Sequence, residues 1–542
     1  MDTWAEELKH QPQRELALWT PGMRRHVTAL RRIDGTPRYG QEVLSTTDLL
    51  SRSETRRSET LASLGEQEQA KLGQFFTNSA VAQFIAGMVR LPGSGALRIL
   101  DPGAGSGALT AALVARVITE APHLAIEVTA VEVDPAVTKA LCATLADCAT
   151  AADGAGLEFT AYVIESSFVS AAADLVEQFD VVIQNPPYAK LAAGDTDRRS
   201  TAAVAVDTPN MYAAFVALGV AALVPGGQLV AITPRSFTNG AYFESFRRWL
   251  LSKTVFDRIH IFAARNSVFA DTGVLQENII YSMTKTSEMP ATAALSASRD
   301  HTDAATVREV HYAEIVHPKD KHRYVRIPST PEDTELVALM ASLPCALHEV
   351  GIDVSTGRVV DFRSRQQLLE TPLEVRYPMV YPANISHGLV SHPKANGKVQ
   401  WYSITADADR RSLVPAGTYV LVKRFSAKEE RRRLVAGVWS ATEHGDTPVA
   451  FDNKLNFFHV RGKTLDVPLA MGLAIWLNSA AVDAYFRTFS GHTQVNATDL
   501  RGMRYPSAAT LRALGAGHDT LPDEETIDRL VSAVIEPKAV SA

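Results

Sequence analysis

Cysteine is scarce. The three in 542 residues, Cys142, Cys148 and Cys345, cannot build a framework of bridges, and none stands at metal-ligand spacing from another. They are expected as small core residues of a protein in a reducing compartment. Long apolar runs are missing too: nothing approaches the roughly 18 to 20 residues that span a bilayer. The start, Met1-Asp2-Thr3-Trp4-Ala5-Glu6-Glu7, is acidic where a secretory signal would be basic. A cytoplasmic protein without membrane contact is the expectation. Internal repeats are absent, and the formal net charge of -6 is small. Such an average does not exclude a polyanionic partner, because phosphate binding rests on local basic clusters.

What is present is a composition of 46% hydrophobic and 21% charged residues, that of a soluble globular protein. The length asks for two or three domains. One stretch stands out. Val181-Val182-Ile183-Gln184 reads as a buried strand and runs straight into Asn185-Pro186-Pro187-Tyr188. Proline ends ladder pairing and fixes φ, so this strand terminates in a rigid loop carrying an amide, two carbonyls and an aromatic ring. The carboxyl end of a strand is where α/β proteins place chemistry. The plain alternative is an Asn-Pro-Pro turn.

What precedes the loop favours chemistry. Ala96 to Leu100 reads as a strand, ends in Asp101-Pro102-Gly103-Ala104-Gly105-Ser106-Gly107, and is followed by the helix former beginning Ala108-Leu109. Strand, glycine loop and helix open a nucleotide-binding α/β unit, although a tight turn can look the same. A second strand ends at Glu132, roughly one βα unit later, where a carboxylate can accept both hydroxyls of a ribose. Asp134-Pro135 reads as a helix cap. A third strand, Glu158 to Ile164, leads to Glu165-Ser166-Ser167-Phe168.

Residues 1–70, polar and without a strong apolar face, are expected as a helical lead-in. Residues 71–290 carry the α/β alternation, with Lys190 to Pro209 as a mobile surface loop. Residues 291–335 shift to Ser, Thr, Ala and Pro, reading as a linker or peripheral segment. Residues 336–542 show short strands and polar turns. Within them Lys428, Arg431, Arg432 and Arg433 form a basic run, ordinarily a solvated face and beside a nucleic-acid enzyme a candidate for phosphate contact.

The order Gly73-Gln74-Phe75-Phe76-Thr77, Asp101 to Gly107, Val131-Glu132-Val133-Asp134-Pro135 and Asn185-Pro186-Pro187-Tyr188 resembles the gamma-class adenine-specific DNA methyltransferases of type II restriction-modification systems, the Eco57I/TaqI-like methylases. The resemblance covers Leu64 to Met283 closely. It is looser at Trp476-Leu477-Asn478-Ser479, Ser490 to Asn496 and Asp499-Leu500-Arg501, which are similar to target-recognition domains; ordinary helix and loop packing is the other reading of those residues.

The resemblance implies an α/β fold, with a Rossmann-like methyltransferase sheet carrying helices on both faces, and a C-terminal α+β target-recognition domain. It implies S-adenosylmethionine as cofactor. Phe75, Phe76 and Thr77 would line its methionine end; Asp101, Gly103, Ala104, Gly105 and Gly107 would form the floor; Glu132 would hold the ribose. The family has an aspartate before a phenylalanine to hold the cofactor's adenine amino group. This chain has Ser167 before Phe168, so either Ser167 or Glu165 takes that place. Asn185 and the Pro186 carbonyl would accept the two hydrogens of the target amine, beside Pro187, and Tyr188 and Phe269 would stack on an extruded adenine. No metal is implied.

Double-stranded DNA is the implied partner, with a separately encoded restriction endonuclease. The alternatives are a fused restriction enzyme and methylase, for which the segment ahead of Gly73 reads as too short, and an RNA or protein-glutamine methyltransferase using the same Asn-Pro-Pro-Tyr chemistry.

Overall fold

The computed structural model describes residues 30–34, 44–63, 77–262, 277–299, 303, 305–368, 374–395, 397–426, 430–461, 463–491 and 493–536. The chain divides into two compact units, Met1–Phe237 with Phe243–Tyr312, and Thr238–Tyr242 with Ala313–Ala542.

The first unit contains strands β1 (Leu30–Asp34), β2 (Ala96–Pro102), β3 (Ala125–Glu132), β4 (Phe159–Glu165), β5 (Phe179–Gln184), β6 (Leu223–Pro234), β7 (Thr254–Phe262), β8 (Asn278–Lys285), β9 (Thr292–Ser298) and β10 (Thr306–His311). They form one sheet in the order β1-β4-β3-β2-β5-β6-β8-β7-β9-β10. The segment β4-β3-β2-β5-β6 is parallel, and β8 runs antiparallel to both its neighbours. Helices α1 (Thr46–Ser63), α2 (Ser79–Gly87), α3 (Ala108–Glu120) and α4 (Pro135–Gly154) pack on one another. Helices α5 (Phe168–Ala171), α6 (Thr196–Val204) and α8 (Glu244–Lys253) gather around α7 (Met211–Ala222).

Strands covered on both faces lose the in-out alternation and read as apolar runs; β5 is buried at Phe179 and from Val181 to Gln184. Its Asp180 takes three hydrogen bonds from Arg98 of β2, through the amide at 3.0 Å, Nε at 2.9 Å and Nη2 at 2.6 Å, which sets the amino ends of these two strands side by side. At β2 and β5 the order of the sheet reverses. Their carboxyl ends diverge and leave the crevice in which open α/β sheets bind ligands.

Three expectations need correction. In the lead-in, α1 is helical, but Leu30–Asp34 is a strand paired antiparallel with β4. Its apolar spacing, Leu30 and Ile33, suits either period, and the open edge of β4 decides. The segment expected as a linker supplies β9 and β10 at the other edge of the sheet. The small residues of β9 and the largely exposed β10 bury too little to announce themselves by composition. The loop expected from Lys190 to Pro209 contains α6, capped by Asp195, whose carboxylate accepts from the Asp197 amide at 3.0 Å. Its base is closed by Leu191 N to Pro209 O and Met211 N to Ala189 O, both 2.8 Å.

The second unit holds a six-stranded sheet and a four-stranded sheet, together with helices including Pro331–Ser342, Val467–Leu477, Ala480–Phe489, Ala508–Gly515 and Glu524–Ile535. Here the basic run is divided between the surface and the interior. Arg433 is 2% exposed and donates to the Ser426 and Ser490 hydroxyls. Arg431 and Arg432 pair with Glu524, and Arg432 also with Asp528; Lys428 lies outside the described residues. Alternating charge along the chain gave no hint that the acidic partners would arrive from a helix about 90 residues later.

Of the stretches likened to target-recognition domains, Asn478 bonds the backbone of Ala436 in both directions at 3.1 Å, and Ser479 caps the following helix. Both are packing roles. Gln494 accepts from Arg424 at 3.2 Å. No single helix among the described residues is long and apolar enough to cross a membrane. The bent pair Val467–Leu477 and Ala480–Phe489 passes that composition test and is core of this unit.

Candidate active site

The crevice beyond β2, β3 and β5 holds a cavity of about 320 Å³. Of the residues singled out from sequence, its walls contain Thr77, Gly103, Ala104, Gly105 and Glu132, and further round Ser167, Phe168, Asn185 and Pro187. Ser106, within the expected floor, and Ser166, Asp197, Met211 and Phe215, to which sequence reading assigns no role, complete much of the lining. Met211 and Phe215 stand at helical spacing on α7, a helix so apolar all round that no face could be singled out. Phe75, Phe76 and Phe269 lie outside the described residues.

The glycine loop is built by backbone geometry. Gly103 and Ala104 donate to Val131 O at 2.8 and 3.0 Å, which draws the loop over the end of β3. Gly107 sits at φ +86, and a Cβ there would approach Leu141 Cδ1 to 3.1 Å and Thr144 Cγ2 to 3.2 Å. Position 107 therefore needs glycine for its conformation and for the close passage of α4. Although counted with the floor, Gly107 is not part of the cavity wall.

Asp101 also departs from expectation. Its side chain, 1% exposed, points under the loop to the first turn of α3, where Oδ2 accepts from Thr110 Oγ1 at 2.7 Å. Oδ1 has no partner among the described residues. Burial pushes this carboxyl up to about 7, with the Glu132 charge adding and the Thr110 hydrogen bond opposing. Asp101 thus supports the wall and is not part of it.

Glu132 is committed from below: Oε2 accepts from Gly105 N at 2.9 Å, and Oε1 accepts from Val133 N at 2.9 Å and Asp134 N at 3.0 Å. Burial raises its pKa, while these amides stabilise the charge and hold it back. Asp134 caps α4, accepting from Ala136 N at 2.9 Å, so the helix cap and the cavity carboxylate are separate residues.

At the end of β5, Asn185 Nδ2 donates to Thr77 Oγ1 at 3.0 Å, and Asn185 Oδ1 accepts a long hydrogen bond, 3.4 Å, from the Tyr188 hydroxyl. Thr77 precedes α2 and is buried; from more than 100 residues upstream it fixes the plane of the Asn185 amide. Sequence reading had put both residues in the site without the bond between them. Pro186 is buried and Pro187 half-buried. Tyr188 packs on the main core and meets Tyr212 edge-on, centroids 6.3 Å apart. Burial raises the Tyr188 pKa well above the ordinary phenol value, with Tyr281 contributing. Glu165 does not line the cavity and pairs with Arg31 at 2.9 Å.

The residues fit S-adenosylmethionine. A glycine loop brings backbone close to the ligand, and Glu132, held in place by three backbone amides, keeps acceptor capacity on Oε2 for a diol. Ser106 Oγ is buried on the wall without a partner among the described residues. Phe168 and Phe215, 5.1 Å apart, give the cavity an aromatic side.

The Eco57I restriction-modification methylase family model matches residues 156–269. The type II methyltransferase M.PstI of Providencia stuartii is 38% identical over 483 residues, covering 88% of this chain and 95% of that one. M.BsuBI of Bacillus subtilis, also a type II methyltransferase, is 38% identical over 462 residues, covering 83% and 90%. Among solved structures, the type IIL restriction-modification enzyme MmeI in complex with DNA aligns over 92% of this chain and 76% of that one, at 12% identity and a TM-score of 0.49. The strand order, and not this distant likeness, carries the fold.

Proposed function

This chain belongs to the Eco57I restriction-modification methylases, with the type II DNA methyltransferases, and on that premise we propose that it methylates the exocyclic 6-amino group of adenine in duplex DNA at a specific sequence. The observation that carries the reading is Asn185 at the switch point of the sheet, its amide held by Thr77 on the wall of the cofactor cavity.

Adenine's amino nitrogen is a poor nucleophile, because its lone pair is delocalised into the ring. With Nδ2 engaged by Thr77, Oδ1 of Asn185 is the atom turned to the substrate, and the 3.4 Å bond from Tyr188 is weak enough to give way to an amino hydrogen. The Pro186 carbonyl takes the second hydrogen. Two acceptors favour a more tetrahedral amine and balance the positive charge that develops on it. When bound, S-adenosylmethionine would supply the electrophilic methyl group: the N–C bond forms as the C–S bond breaks, S-adenosylhomocysteine leaves, and the methylated nitrogen loses its extra proton to solvent. Thr77 and Asn185 hold the amine beside the cofactor cavity, which contributes the entropic part of the rate. A base inside a duplex cannot reach this loop, so it is extruded at a cost of a few kcal/mol, and Tyr188 takes over its stacking. Catalysis belongs to the first unit and target recognition to the second. The methyl mark protects DNA from a separately encoded endonuclease.

The test is mass spectrometry of nucleosides from duplex DNA incubated with the purified protein and S-adenosylmethionine, beside Asn185→Ala. N6-methyladenine is expected with the wild type, and a rate at least ~100-fold lower with the variant. Methylcytosine, or equal methylation by both proteins, would sink the reading.

A further inference from the structure

The cavity wall carries two carboxylates with different commitments. Glu132 is tied by three backbone amides. Asp197, in the first turn of α6, uses its backbone N–H toward Asp195 and its carbonyl toward Thr201. Among the described residues nothing bonds or pairs with its carboxylate. This half-buried side chain on the cavity wall, its pKa raised by burial and by Asp195, is an acceptor that a ligand in the cavity can use.

Its place says which part of the ligand that is. Helix α6 packs against α5, which opens with Phe168, and against α7, which carries Phe215. Asp197 is therefore on the aromatic side of the cavity, where a purine's flat apolar faces are best accommodated. A purine amino group placed there needs an acceptor. Ser166 Oγ points to the Ser167 carbonyl at 3.4 Å. Glu165 is off the wall and paired with Arg31. Ser167 lines the cavity but offers a neutral hydroxyl, and hydrogen bonds to charged acceptors are roughly twice as strong as neutral ones.

We propose that Asp197 accepts the hydrogen bond from the exocyclic amino group of the cofactor's adenine, supplying from α6 the carboxylate that the Ser167 position at the end of β4 lacks. The assignment rests on the cavity binding S-adenosylmethionine. It also gives a role to the segment between the catalytic loop and α7: that segment closes the adenine end of the cofactor site.

The test is calorimetric binding to the full chain of S-adenosylhomocysteine and of its inosine counterpart, in which a carbonyl oxygen replaces the amino group. Wild type should prefer the adenosine ligand by roughly tenfold or more, since an acceptor facing an acceptor is penalised. Asp197→Ala should weaken the adenosine ligand about tenfold and leave the inosine ligand unchanged or tighter. Asp197→Asn, able to donate to the carbonyl, should shift preference toward inosine. Ser167→Ala should keep the wild-type preference. Equal weakening of both ligands by Asp197→Ala, no weakening of either, or loss of preference in Ser167→Ala would each overturn the assignment. If wild type binds neither ligand, the S-adenosyl reading of the cavity fails, and the proposal with it.

Discussion

The bond from Asn185 to Thr77 joins the residue proposed to meet the substrate to one that lines the cofactor cavity. Thr77→Val keeps the shape and removes the acceptor for Nδ2, so the amide plane is held less firmly. Its kcat should fall roughly tenfold while affinity for S-adenosylhomocysteine stays within about twofold; a wild-type kcat would make the bond incidental. Asp101 makes a different demand. Its carboxyl titrates at about 7 in the folded chain and at about 3.9 when unfolded. Between those values the folded form holds a proton that the unfolded chain has released, so stability falls as pH rises from about 4 to about 7, then levels off. The slope is about 1.4 kcal/mol per pH unit at most, and Asp101→Asn should remove it. Melting temperatures that track each other from about pH 5 to 8 in the two proteins would contradict this origin.

At the scale of elements, the glycine loop and α6 are both held by contacts outside themselves. Gly107 takes φ +86 against side chains of α4, so Gly107→Ala combines a left-handed conformation with a crowded Cβ. The expected loss is about 1 to 3 kcal/mol, read as a melting temperature several degrees lower, together with weaker cofactor binding. An unchanged melting temperature would mean that α4 moves aside cheaply. Helix α6 illustrates a limit of local reading. Gly194-Asp195-Thr196-Asp197-Arg198-Arg199-Ser200 looks like a polar loop, and it is a helix because Asp195 caps it, Arg198 pairs with Asp207 and its ends are closed by backbone bonds. The outer strands β1, β9 and β10 differ from expectation for a related reason: pairing with a neighbouring strand, and not their own pattern, makes them strands.

On the scale of the molecule, the two units have separate cores and should fail separately. In the second unit Asp483 accepts from the amides of Arg433 and Leu434 at 2.6 and 2.8 Å and from Arg487 Nε at 2.7 Å. Removing it in Asp483→Ala leaves buried amides and a guanidinium without that partner, at a cost of several kcal/mol. The variant should lose sequence-specific DNA binding and show an earlier transition in calorimetry, yet keep its affinity for S-adenosylhomocysteine. Loss of both binding activities together would show that the units do not fold independently.

The order of the Gly103 to Gly107 loop, Glu132 and Asn185-Pro186-Pro187-Tyr188 along the chain was enough to set the parallel sheet, its switch point and the place of the Asn185 loop at the end of β5. These depend on strand period, glycine and proline, which act over a few residues. Other features depend on residues that only folding brings together: the Thr77 clamp on Asn185, the burial of Asp101 beneath its own loop, the inward turn of Arg433, and the arrival of Asp197 on the aromatic side of the cavity. Sequence spacing carries no signal for such contacts, because whether a carboxylate is buried, paired or left facing a ligand is decided by which distant backbone packs beside it.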